Sequence, residues 1–242
     1  SAEFHLLKAN LLLLQNKLQA GFQEMQWCHK DATHSFQHGL QRWNDPQSEE
    51  LITLFAEAYM GDTLLFSRYA NWIQNQTKKP VVLYVQPPLV QLLRCNLPLP
   101  VSVLPYGQKA AKQQDTSLPL LAAPALFGTC QEHEALGLPH LQADPMLVEY
   151  WKQQIDIRAD ELLIGINWHG CALHALSEGH SSDIPLLLFA PLAELSGVRL
   201  VAFQKGIGSE ELDDCSFKES FVNCQSMVNS EARLEHMAAV MS

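Results

Sequence analysis

Apolar positions at helical spacing open the chain. Leu6 and Leu7 are followed by Leu11, Leu14 and Leu18 at steps of four, three and four, the period of one helix face. Gly21 interrupts the pattern, and Phe22 and Met25 begin another run, so residues 3–44 read as an αα-hairpin. After Asn44, Asp45 and Pro46 the period changes. Strand-like runs at 51–56 (LITLFA), 80–86 (PVVLYVQ) and 101–105 alternate with two helical stretches. One helix is expected from Asp62 to about Asn75, and the other starts at Pro87 and Pro88, where proline is tolerated. This β-α-β-α-β order predicts an α/β fold, a parallel sheet with helices on both faces. Residues 118–126 are apolar but carry Pro119 and Pro124, which leaves their state open. Pro139 and Pro145 mark a linker, and a helix is expected over 146–155.

A second α/β series starts at 162–168 (LLIGINW). It continues with a helix opened by Ile184 and Pro185, a strand at 198–203 (VRLVAF), a third strand at 221–224 and a helix at 230–241. No further strand follows, so on pattern alone this unit reads as unfinished. The expected divisions are a helical hairpin over 1–46, a first Rossmann-like domain over 47–157 and a partial second one over 158–242. An unfinished parallel sheet has an unpaired apolar edge, which predicts a homodimer.

Composition narrows the function classes. The 242 residues suffice for two cores. A net charge of −10 with no basic run argues against binding to nucleic acid. No apolar run approaches a membrane span, and the N-terminus lacks the features of a signal peptide. The chain starts on Ser1 in helix-like sequence, which reads as a boundary within a longer protein. The six cysteines are scattered with no C-x-x-C pair, as expected of free thiols in a reducing cytoplasm.

Several segments together resemble a known family. The first, KANLLLLQNKLQAGFQEMQW, resembles the last tetratricopeptide-like unit of bacterial proteins that carry a C-terminal glycosyltransferase. FAEAYMGDTLLFSRY and VVLYVQPPLVQLLR resemble the start of the first Rossmann-like domain of those enzymes. LIGINWHG and SDIPLLLFAPLAELSGVRLVAFQKG resemble the start of the second. The resemblance implies a GT-B architecture, similar in outline to heptosyltransferases and O-GlcNAc transferase. It implies transfer of a sugar from a nucleotide-sugar to a protein or glycan hydroxyl, with no metal or other cofactor. Three departures stand out. The family's Gly-x-Gly-Asp is here Tyr59, Met60, Gly61 and Asp62. Ser182 and Asp183 stand where relatives have a Lys or Arg against the donor diphosphate. The Asp-Thr-Ala-x-x-His donor motif does not occur in the chain. The chain by itself is therefore expected to be inactive.

The residues expected to carry chemistry follow from this. Asp62, at a strand-to-helix handover, is the expected general base on the acceptor hydroxyl by resemblance, and its alternative is a helix cap. Gly61 and the N–H groups of Asp62, Thr63 and Leu64 would hold a hydroxyl or anion. Lys205 and Gly206, at the end of the 198–203 strand, would contact the donor phosphates. Tyr59, Arg68, Trp168 and His169 are the expected acceptor or cleft residues. His169, Cys171, His174 and His180 crowd one loop, and Cys28, His29, His34 and His38 another, but neither spacing fits a zinc pattern. A competing reading is a non-catalytic interaction module on a degenerate glycosyltransferase scaffold.

Overall fold

The computed structural model describes residues 2–27, 41–42, 51–56, 59–108, 116–128, 139–158, 160–170, 183–222 and 234–242. The chain divides into two compact units, Ser1–Gln142 and Ala143–Ser242. The N-terminal hairpin belongs to the first.

That hairpin is α1 (Ala2–Leu14) and α2 (Leu18–Met25). The break comes before Gly21, not at it. Asn16 takes a left-handed conformation (φ 59°), and the Lys17 N–H bonds the Leu12 carbonyl at 2.9 Å, a helix C-cap. Gly21 is buried inside α2, and a Cβ there would meet Leu13 side-chain atoms at 2.7 Å. It permits close helix contact rather than chain reversal. Glu24 on α2 ties the pair, reaching His5 Nδ1 at 2.7 Å and the Lys8 ammonium. These partners hold its carboxyl below the usual range.

The first sheet contains β1 (Gln41–Arg42), β2 (Ile52–Phe55), β3 (Val81–Val85), β4 (Val101–Pro105) and β5 (Thr116–Pro119). All pairs are parallel, in the order β1-β5-β2-β3-β4. The strands need no alternation because both sheet faces are covered: all of β2 and β3 is buried. Val82 and Tyr84 join Leu51 and Phe55 on one face, and Val81, Leu83 and Val85 point to the other. The helix expected over 62–75 is two: α3 (Met60–Phe66) and α4 (Arg68–Thr77). They part at Ser67, whose hydroxyl bonds the Leu64 carbonyl at 2.9 Å and lies 3.1 Å from His140 Nε2. Pro87–Leu89 form a 3-10 turn into α5 (Val90–Asn96). The ambiguous apolar stretch resolves into β5, a 3-10 turn at Leu120–Ala122 and α6 (Ala123–Phe127). α2 packs on this end, with Gln19 Nε2 donating to the Ala125 carbonyl at 3.2 Å.

In the second unit, Asp144 caps α7 (Pro145–Gln154), accepting the Met146 N–H at 2.8 Å. β6 (Leu162–Ile166) and β7 (Val198–Ala202) pair in parallel. Between them lie a 3-10 turn at Leu186–Phe189 and α8 (Ala190–Ala193). The third strand expected at 221–224 is a single parallel bridge, Leu200 to Phe221; residues 223 and 224 lie outside the described residues. α9 (Leu234–Val240) follows. One sheet face packs Val201 on Trp151, Ile155 and Ala239, and the other packs Leu200 and Ala202 on Leu186 and Trp168. No described helix is long and apolar enough to cross a membrane.

Candidate functional site

The chain runs β2, β3, β4 outward in one direction and then returns to lay β5 on the other side of β2. A parallel sheet opens a crevice at such a reversal, outside the carboxyl ends of its strands. β2 hands over to α3 beside this point, so Tyr59, Gly61, Asp62 and Thr63 are together there. The strand ends are braced. The Ala56 N–H donates to the Tyr84 carbonyl at 3.0 Å, and the Tyr106 hydroxyl donates to the Ala56 carbonyl. Phe55 stacks on Tyr84 with ring centroids 4.5 Å apart.

Within this group the roles differ from residue to residue. Helix α3 begins at Met60, two residues before the expected cap. Asp62 sits in its first turn, and its Oδ2 accepts the Tyr59 N–H at 3.4 Å, the reciprocal half of a capping box. Among the described residues, its other carboxylate oxygen has no hydrogen-bond partner. Thr63 is buried. Its N–H bonds the Tyr59 carbonyl at 3.0 Å, and its hydroxyl lies 3.0 Å from Gln86 Oε1. The open N–H groups of the first turn therefore start earlier than expected, and the Thr63 hydroxyl braces α3 against the end of β3 rather than facing a ligand. Gly61 is helical, and a Cβ there would meet nothing within 4 Å, so neither positive φ nor close approach explains it. Arg68 starts α4 and donates from Nε to the Leu65 carbonyl at 2.9 Å.

The second group lies at the carboxyl ends of β6 and β7. Its centre is a residue the sequence reading passed over, Gln204, which is 4% exposed. Its Oε1 accepts the N–H groups of Trp168 at 3.2 Å and His169 at 2.8 Å, and its Nε2 donates to the Ile207 carbonyl at 2.7 Å. One amide thus joins the loops that leave two adjacent strands. Trp168, expected at a cleft, is a core side chain, 1% exposed, with its indole N–H on the Gly208 carbonyl at 3.1 Å. His169 is held between two carboxylates. Nε2 meets Glu211 Oε1, and Nδ1 lies 3.3 Å from Asp183 Oδ1, which also accepts the Gly170 N–H at 2.9 Å. Lys205 is half-buried and Gly206 exposed at the end of β7, and Gly206 has φ 68°. The two carboxylates sit on opposite nitrogens of one ring, and among the described residues no group of three metal-type side chains could hold an ion. Cys171, His174, His180 and Ser182 lie outside the described residues, as do Cys28, His29, His34 and His38.

Among the described residues, two histidines are perturbed in opposite senses. In the first unit, burial and the Arg68 charge push His140 below the ordinary value of 6.5, against a bond to the Leu64 carbonyl. In the second, the Glu211 carboxylate raises His169 above it, opposed by desolvation and helped by Asp183. The signs follow from linkage. A lowered folded pKa means the unfolded chain binds more protons, so the His140 contribution is present above 6.5 and is lost as pH falls through the folded value. The His169 contribution is full below 6.5 and is lost as pH rises through its folded value. Thermal melts across this range should show His140→Gln flattening the acid side and His169→Gln the alkaline side. If His169→Gln leaves the alkaline side unchanged, the carboxylate clamp does not persist in solution.

Comparison with protein-family models, with curated proteins and with solved structures finds no match to this chain.

Proposed function

We propose a glycosyl-transfer role of GT-B type, moving a sugar from a nucleotide-sugar to a protein or glycan hydroxyl. The observation that carries the reading is the strand order, which sets Asp62 and the first turn of α3 beside the reversal between β2 and β5. The family-like segments supply the chemistry. The acceptor oxygen attacks the anomeric carbon, the bond to the nucleoside diphosphate breaks, and Asp62 takes the hydroxyl proton. In the second unit, taken by itself, the resemblance makes Lys205 and the backbone around Gly206 the candidates for binding a nucleoside diphosphate. In a longer, transfer-competent form of the protein, Asp62→Asn should reduce transfer by about a hundredfold or more without weakening donor binding, within the range of general-base effects. Retained turnover in that variant would remove Asp62 from the mechanism.

A second reading, an interaction module without catalysis, is favoured by one feature of the second unit. Asp183, Glu210 and Glu211 gather around His169, and carboxylates there oppose a diphosphate. Thermal stability against UDP-, GDP- and ADP-sugars separates the two. A donor at a hundred times its Kd adds roughly 2.7 kcal/mol. A selective shift lost in Lys205→Ala supports the transferase. No shift with any donor leaves the module reading.

A further inference from the structure

Helix α1 is apolar on more of its circumference than its packing uses. Its inner side, including His5, Ala9 and Leu13, faces α2. A second line of side chains stays in water: Phe4 at 64%, Leu7 at 64%, Leu11 at 60% and Leu14 at 85% exposed. Their spacing is three, four, three, the a/d pattern of a helix–helix seam. A helix apolar all round is one that is covered all round. The period also selects the partner. A strand presents alternate residues, whereas ridges at this spacing interlock with those of another helix.

We propose that a second copy of the chain covers this face, with its α1 packed antiparallel on the first. The ends of the seam support a two-fold pairing. Glu3 lies in the first turn of α1 and Lys17 just beyond the last. An antiparallel pair brings the Glu3 end of each copy to the Lys17 end of the other and opposes the helix dipoles favourably. A parallel pair would set Glu3 beside Glu3. Lys8 does not interfere, because its ammonium is bound to Glu24 on α2. The 13-residue helix is about 20 Å long. Its footprint falls at the small end of specific interfaces, the class of reversible, transient pairings.

Sedimentation equilibrium over a broad concentration range tests this. The chain should pass from monomer to dimer. Leu7→Glu with Leu11→Glu should weaken the dimer at least about tenfold while far-ultraviolet circular dichroism stays unchanged, since both positions are exposed. Glu3→Lys should weaken it, and adding Lys17→Glu should restore it, a rescue that loss of folding could not produce. A monomer at every concentration overturns the proposal. So does a dimer indifferent to the Leu7 and Leu11 changes, which would set the interface elsewhere, such as a sheet edge.

Discussion

Gln204→Leu should destabilise the second unit by about 2–5 kcal/mol, because it strands two backbone donors at once. Leucine fills a similar volume, so the loss isolates hydrogen bonding from cavity formation. Trp168 is buried, and its N–H has Gln204 Oε1 as acceptor at 3.2 Å. The His169 N–H shares that oxygen at 2.8 Å. Once both acceptor contacts go, the loop after β6 keeps the Trp168 indole bond to Gly208 and the His169 contact to Glu211 as ties to the chain after β7, and His169 loses the backbone anchor that sets its register with Asp183 and Glu211. Amide exchange at Trp168 and His169 should accelerate far more than at the β6 and β7 ladder. A loss below about 1 kcal/mol would mean that water replaces the amide and that the loops are held by other contacts.

Gly208→Ala should cost about 2–4 kcal/mol, whereas Gly206→Ala should cost about 1. Both glycines have positive φ, 85° and 68°, so both substitutions carry the left-handed backbone penalty. They differ in surroundings. A Cβ at Gly208 would lie 1.9 Å from His169 Cδ2, while one at Gly206 meets nothing within 4 Å. Alanine at 208 must therefore expel the imidazole from between its carboxylates. The proton equilibrium of His169, read by NMR, should then return toward the ordinary value, since the Glu211 bond that raises it is gone. Equal effects at the two glycines would show that the ring yields without leaving its partners.

The α/β class and the positions of the main strands were legible because they rest on local pattern. LITLFA, PVVLYVQ and VRLVAF are short, apolar and bounded by turn residues, and each contains a strand. Boundaries that depend on neighbours were less so. Gly21 looks like a breaker along the chain, yet it is a contact point for Leu13, which only the folded hairpin reveals. Ser67 splits the helix after β2 beside His140, a residue 73 positions away. Two prolines obscured β5, because proline is excluded from central ladders but tolerated at a strand end, and Pro119 is the last residue of that strand.

The candidate site divides the same way. Tyr59, Gly61 and Asp62 could be picked out by their place between a strand and a helix. Their relation to a sheet reversal required the strand order, since β5 joins β2 across more than sixty residues of chain. Gln204 reads in sequence as a polar residue that merely ends a strand. Tertiary structure makes it the joint of two loops, because parallel strands bring remote carboxyl ends together. The sequence by itself determined the alternation of strands and helices and the helical stripe on α1, for these depend on residues a few positions apart. Only the tertiary structure decided that Trp168 is core, that Thr63 is a brace and that His169 is clamped, because burial and charge pairing depend on neighbours far along the chain.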